Sequence, residues 1–380
     1  MQLFLEQSNI CHQKQLESET QCSIIKNMKT IIEKIDYTQL NSEENKAIIE
    51  KAGDILKNGG LVAFPTETVY GLGADALNEM AAHKIYEAKG RPSDNPLIVH
   101  ITNMKDLEKV AEVIPEAAYT VAEKYWPGPL TMIFDKTDLV PYGTTGGLET
   151  VAVRMPNEPV ARAVIDAGGG FIAAPSANTS GRPSPTTAQH VEEDLTGRID
   201  MIIDGGAVPI GVESTILDMT VTPPMILRPG AITKEMLEEL IGEVSVDRAL
   251  ISSESKEPPK APGMKYRHYA PKAELSIVEG PMELVIEGIN RMARERSAQG
   301  YRVGVIGTEE TVARYRADSV KSVGTRTDES TIASHLYGIL REFDNEKVDY
   351  IYSESFATGG IGSAIMNRLL KAAGHHVIEV

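Results

Sequence analysis

The sequence predicts an α/β or α+β domain with one concave site, followed by a smaller α/β unit built on a parallel sheet. Three observations carry that expectation. Short apolar runs are mixed with stretches of helical periodicity through residue 240. Hydroxyls, cations and glycines collect where the apolar runs end, the arrangement of a ligand cleft. Residues 252–263, rich in Pro, Ser, Lys and Glu, read as a linker, and beyond them strand and helix patterns alternate to the C-terminus.

Taken in order, residues 1–27 are polar, Gln/Ser-rich and aperiodic, and read as a disordered extension. Met28-Lys29-Thr30 has the look of a natural start. From Ser42, Ile48, Ile49, Ala52, Ile55 and Leu56 recur at helical spacing until Gly59-Gly60 stops them. Leu61–Phe64 reads as a strand, and Thr66–Gly73 as a hydroxyl- and glycine-rich loop able to approach a ligand. Asn78 caps a helix that Gly90 ends. A helix over 115–124 leads into Trp126-Pro127-Gly128, where the Trp packs a corner, and then a strand at Leu130–Phe134. Gly143–Gly147 reads as a flexible loop. Thr150–Met155 alternates as a strand, with Arg154 on the face opposite Val151 and Val153. A cation there needs an anionic partner, either a protein carboxylate or a substrate carboxylate, because an unpaired buried charge costs about 3–5 kcal/mol. Phe171–Ala174 is a further strand. Ser184-Pro185 reads as the cap and first residue of a helix through Leu195, able to favour an anion beside Ser184. Strands follow near 199–203, 214–218 and 225–228, the last ending at Arg228, then a helix capped by Thr233. In the smaller unit, strands are expected at 275–278, 303–306 and 350–353, and helices at 284–298, 331–343 and 366–373. Gly359-Gly360-Ile361-Gly362-Ser363 is an incomplete dinucleotide fingerprint, and His375-His376 sits at what reads as a frayed terminus.

Composition bounds the function. A chain of 380 residues with 42% hydrophobic and 24% charged residues has the balance of a soluble protein with a core. A formal net charge of −16 disfavours a general nucleic-acid coat, so no stable nucleic-acid binding is expected. Two cysteines, Cys11 and Cys22, give no disulfide framework and suit a reducing, cytoplasmic setting. No apolar run reaches membrane-spanning length, and Met1–Glu6 lacks the features of a signal peptide. There is no phosphate loop, HExxH, nucleophile elbow or metal-ligand spacing.

The most informative stretch is Lys89–His100. Arg91 and Asn95 each precede a proline and are pushed toward extended geometry, which would set Lys89, Arg91, Ser93 and Asn95 along one face. Two cations, a hydroxyl and an amide in a row suit a polyphosphate. The alternative is a solvated basic turn after a helix. The apolar run Leu97-Ile98-Val99 favours the first reading, because it puts the row at the mouth of a buried strand.

Five motifs together resemble the Sua5/YrdC family of threonylcarbamoyl-AMP synthases: Pro65–Gly73, the Lys89/Arg91/Ser93/Asn95 row, Trp126–Thr131, Ala174-Pro175-Ser176-Ala177-Asn178 and Gly211-Val212-Glu213-Ser214-Thr215. The segment Met264–Pro271 and the C-terminal part, with Gly360-Ile361-Gly362 and Asn367-Arg368-Leu369, resemble the long Sua5 form. The resemblance runs from about Met28 to the end. It implies a YrdC-like twisted mixed sheet over 28–248, a linker or lid at 249–272 and a smaller Rossmann-like C-terminal domain over 273–380. It further implies condensation of L-threonine, bicarbonate and ATP, with Mg2+ accompanying the ATP, to threonylcarbamoyl-AMP and pyrophosphate. The product would go to a downstream transferase complex for t6A37 in tRNAs reading ANN codons.

By the same resemblance Lys89 and Arg91 act electrostatically, with no covalent nucleophile and no metal-ligating side chain. ATP would meet Lys89, Arg91, Ser93, Asn95, Thr150, Ser176, Ser184, Arg228 and Tyr266. Threonine would meet Thr66, Thr68, His100, Arg154, Ala174 and Ser214, with Arg154 on its carboxylate. The Tyr266/His268 segment would close over the site, while the C-terminal domain could equally be a stabilising or docking module. This chemistry brings anions together, and two unit charges about 4 Å apart repel by ~4 kcal/mol at an effective dielectric near 20. Two rivals weigh less. An RNA-binding protein conflicts with the acidic balance, and a hydrogenase-maturation module would bring an acylphosphatase-like region and zinc-finger cysteines that this chain lacks. Deleting residues 1–27 is expected to leave activity unchanged; turnover of the shortened chain beside the full one checks this.

Overall fold

The computed structural model describes residues 29–247 and 268–380. Two sheets organise them. The larger has eleven strands in the order β1-β8-β2-β3-β7-β4-β6-β5-β9-β10-β11. In chain order these are β1 (Ile31–Lys34), β2 (Val62–Phe64), β3 (Gly71–Asp75), β4 (Ile98–His100), β5 (Leu130–Asp135), β6 (Thr150–Arg154), β7 (Ile172–Ala173), β8 (Met201–Asp204), β9 (Thr215–Asp218), β10 (Met225–Arg228) and β11 (Ser245–Val246). The sheet is mixed: β4 and β6 run parallel, while β6 and β5 run antiparallel. The smaller sheet, β14-β13-β15-β12-β16, is parallel throughout. It consists of β12 (Glu274–Glu279), β13 (Val303–Gly307), β14 (Ser319–Ser322), β15 (Tyr350–Glu354) and β16 (Val377–Glu379).

Local chemistry sets the helix ends. Helix α1 (Glu43–Lys57) is capped by Ser42, whose Oγ accepts from the Asn45 N–H. Helix α2 (Glu79–Lys89) is capped by Asn78 and ends on Gly90 in the left-handed region. Helices α3 (Met104–Val110) and α4 (Glu116–Tyr125) follow. The expected loop at 143–147 instead holds a short helix, α5 (Tyr142–Thr145), closed by Gly146 at φ 63°. Helix α6 (Pro159–Ala167) begins on a proline, which is preorganised for a first turn. Helix α7 (Ala188–Leu195) starts later than the sequence suggests. Thr187 is its cap, so Ser184 is free of that duty. Helix α8 (Lys234–Ile241) has the expected Thr233 cap.

The second unit adds α9 (Met282–Ala298), α10 (Glu329–Glu346) and α11 (Gly362–Ala372). At the glycine-rich start of α11 the Gly362 N–H donates to the Glu329 carboxylate, which takes the place open to an anion there. The C-terminus is not frayed. β16 pairs with β12, the His376 carbonyl accepts from the Ile277 N–H, and its ring lies 2.8 Å from Ser276 Oγ. None of the helices among the described residues is long and apolar enough to cross a membrane.

The two units share a core. Val69 and Val212 of the first pack with Leu336, Tyr337, Leu340 and Phe343 of the second. Gly211, at φ 83°, lies against α10 so closely that a Cβ would sit 2.4 Å from the Ser334 Cα. Two buried arginines cross the junction. Arg341 donates to the Pro183 carbonyl at 2.6 Å and to both Asp194 oxygens at 3.1 and 3.0 Å. Arg368 reaches Glu213 at 2.9 Å. Replacing Arg341 by Gln removes the buried cation that crosses the junction, leaving Asp194 to Arg182 and the Thr179 N–H. The expected loss is about 1.5–3 kcal/mol of stability, read as a lowered urea midpoint.

Candidate active site

The strand ends of the larger sheet converge on one cavity of about 680 Å³, its open mouth included. Register does much of the positioning. His100 at the end of β4 lies beside Arg154 at the end of β6, and Arg154 lies beside Thr131 of β5. From Thr131 a hydrogen-bonded line runs on: its Oγ1 is 2.8 Å from Ser214 Oγ, which accepts from Arg228 Nη2 at 3.1 Å.

All six residues expected around threonine, Thr66, Thr68, His100, Arg154, Ala174 and Ser214, line the cavity. Thr66 Oγ1 donates to the Val69 carbonyl at 2.7 Å and touches Thr68 Oγ1 at 2.9 Å, closing a tight turn. Arg154 Nη1 donates to Thr68 Oγ1 at 3.0 Å, and its Nη2 lies 2.8 Å from Glu67 Oε1. Of the two partners the sequence left open for Arg154, the protein carboxylate is present. Burial drives His100 down to about 3, with Arg154 adding to the effect, so the ring is neutral. Its Nδ1 faces the Ile98 carbonyl at 3.1 Å.

Of the residues expected around ATP, Lys89, Arg91, Ser176, Ser184 and Arg228 line the cavity too. Lys89 is buried and its ammonium donates to the carbonyls of Ser176 and Asn178. Burial first, then Arg91, lower its pKa well below the usual lysine range. Arg91 is half-buried, folds back onto the Asn95 and Pro96 carbonyls at 3.3 and 3.0 Å, and is lowered to about 10 by burial. Arg228 Nε donates to the Ser214 carbonyl at 3.0 Å.

The extended row does not form. The Asn95 N–H donates to the Pro92 carbonyl, closing a turn over 92–95. Each proline constrains only the residue before it, and Ser93-Asp94 between them are strong turn formers. Ser93 is therefore exposed, Asn95 is buried with its Oδ1 lacking a hydrogen-bond partner, and only Lys89 and Arg91 face the cavity. Thr150 is absent from the cavity wall too. It starts the strand that Arg154 ends, ~13 Å away at ordinary strand rise. Tyr266 lies outside the described residues. His268 and Tyr269 do line the cavity. The Ala270 N–H donates to the Gly181 carbonyl, and Tyr269 stacks on Tyr337 of α10 at 5.3 Å.

Glu67, Asn178, Glu213 and Tyr269 were not singled out in the sequence, although each lies in or beside a motif that was. Glu213 is 6% exposed and accepts from Ser184 Oγ at 2.5 Å and from Tyr337 OH at 2.9 Å. Burial alone would raise its pKa, but Arg368, Arg228 and Ser184 hold it down to about 2. A depressed carboxyl contributes stability above its ordinary value, and that contribution is lost as pH falls through the depressed one. The stability difference between the native chain and Glu213→Gln should therefore shift by about 3 kcal/mol between pH 4.5 and 2, with the native chain losing ground; acid-to-neutral urea titrations check it.

Comparison with known proteins places this geometry. The sequence model of the Sua5/YciO/YrdC family, described as "Telomere recombination", matches residues 54–230. That of "Threonylcarbamoyl-AMP synthase, C-terminal domain" matches residues 232–374. A Bacillus subtilis threonylcarbamoyl-AMP synthase is 52% identical over 353 residues, covering 93% of this chain and all of its own. One from Schizosaccharomyces pombe is 38% identical, covering 87% of this chain and 89% of its own. The crystal structure of Pyrococcus abyssi Sua5 complexed with L-threonine superposes with a TM-score of 0.87 at 47% identity, covering 92% of this chain and all of that one.

Proposed function

The chain belongs to the Sua5/YrdC family of threonylcarbamoyl-AMP synthases, and from that premise we propose how its cavity joins L-threonine, bicarbonate and ATP. The observation that carries the proposal is the gathering of four cations, Lys89, Arg91, Arg154 and Arg228, on the wall of one cavity. Arg154, fixed by Glu67 and Thr68, offers a single cation for the threonine carboxylate, beside a neutral His100 and the hydroxyls of Thr66, Thr68 and Ser214. Lys89, Arg91 and Arg228 offer three for a triphosphate, beside the hydroxyls of Ser176 and Ser184, which donate to Asn178 Oδ1 and Glu213. The L-threonine bound by the Pyrococcus abyssi protein supports threonine as a substrate.

The chemistry balances without a covalent enzyme group. The threonine ammonium and bicarbonate give the N-carboxylate, one water and one proton. A carboxylate oxygen of that carbamate then attacks the α-phosphorus of ATP, the α–β bridge breaks, and pyrophosphate leaves. Both steps crowd anions, so positioning and preorganised cations do the catalytic work. Mg2+ would arrive on the triphosphate and screen its charge; no group of three or more metal-ligating side chains is found among the described residues. His268 and Tyr269 on the cavity wall would keep water from the labile carbamate and mixed anhydride. The product is an activated acyl donor that a downstream transferase complex would use for t6A37 in tRNAs reading ANN codons, in the cytoplasm.

Pyrophosphate release should require threonine and bicarbonate together. Arg91→Ala should lower it by about a hundredfold with the fold intact by circular dichroism. Release that continues without either co-substrate, or near-normal turnover of the variant, would count against this mechanism.

A further inference from the structure

We propose that Arg368, on α11 of the second unit, is a positioning residue for the nucleotide end of the cavity: it neutralises and fixes Glu213 so that a triphosphate can lie against Ser184 and Arg228. The proposal rests on the ATP reading above.

Glu213 is the one acidic side chain on the cavity wall among the described residues, and it sits where polyanions are to be held. Left uncompensated it would repel them and compete for Arg228. The structure uses up its charge from behind. Oε1 accepts from Ser184 Oγ at 2.5 Å and from Tyr337 OH at 3.1 Å; Oε2 accepts from Tyr337 OH at 2.9 Å and from Arg368 Nε at 2.9 Å. Two of the three donors to this carboxylate, Tyr337 and Arg368, thus come from outside the first unit, and the only charged one is Arg368.

Arg368 does more than offset charge. Its Nη2 donates to the Glu213 carbonyl at 3.2 Å and its Nη1 to the Pro229 carbonyl at 2.6 Å. One fully buried guanidinium therefore ties together two loops, the one carrying Glu213-Ser214 and the one that follows Arg228. Arg228 in turn donates to Ser214 Oγ and the Ser214 carbonyl. Without Arg368, Glu213 keeps two neutral donors, and Arg228 becomes its nearest counter-ion instead of the phosphate's. Arg368 does not line the cavity, so it acts through Glu213 and not on substrate.

Titration calorimetry of ATP and, separately, of threonine on the full chain tests this, with folding followed by circular dichroism and thermal melts. Arg368→Gln should weaken ATP binding by about tenfold or more while threonine binding stays within about twofold. The double variant Glu213→Gln/Arg368→Gln should recover most of the lost ATP affinity, because the charge that needed compensation is gone. A role confined to stability would not be rescued in this way. ATP affinity unchanged in folded Arg368→Gln, or a double variant no better than the single one, would overturn the proposal. Should Arg368→Gln not fold, Glu213→Gln decides: ATP affinity equal or higher supports the proposal, and a tenfold loss overturns it. Failure of the native chain to bind ATP would instead remove the nucleotide reading itself.

Discussion

Every cation in this site faces the same difficulty. Burial removes it from water, its neighbours repel it, and a carboxylate partner on the cavity wall would repel the very anions it is there to hold. The fold answers with backbone carbonyls. Lys89 is seated on the Ser176 and Asn178 carbonyls, Arg91 on those of Asn95 and Pro96, and Arg228 on that of Ser214. The two arginines that cross the junction add the Pro183 and Pro229 carbonyls to their carboxylate partners. A carbonyl is a dipole without net charge. It lowers the free energy of a buried cation while leaving most of the positive potential for a ligand. The many short loops at the strand ends, rich in glycine and proline, are what turn those carbonyls inward.

Where full negative charges do occur, they are set back. Glu67 grips Arg154 without lining the cavity, and Asp194 serves Arg341 from within the junction. Glu213 is the exception that reaches the wall, and it is the residue on which the second unit spends Arg368 and Tyr337. The C-terminal part is thus joined to the site by buried charge as well as by a shared apolar core.

Much of this was legible in the sequence, for local reasons. The caps at Ser42, Asn78 and Thr233, the stop at Gly90 and the strand carrying Arg154 all follow from side chains acting on their own backbone. The family resemblance, and not local pattern, named fifteen residues for the two ligands, and eleven of them lie on one cavity wall. What failed was reasoning that carried a local rule too far. Pre-proline bias at Arg91 and Asn95 was extended across Ser93-Asp94, which turn instead. Ser184 was read as a cap although Thr187 takes that role, because its hydroxyl is claimed by a glutamate 29 positions on. β3 was missed because its two glycines mask a strand held by neighbours on both sides. The pairings of Glu213 with Arg368 and of Asp194 with Arg341 span about 150 residues, and single-sequence periodicity has no means of registering them.

The seat of Gly211 on α10 has a mechanical corollary. With no side chain between the loop and the Ser334 backbone, there is no compressible layer to absorb a shear. Three residues later the same loop presents Ser214 to the cavity. Any rotation of the smaller body must either lift cleanly off that contact or carry the catalytic loop along with it, as a lever bears on its fulcrum.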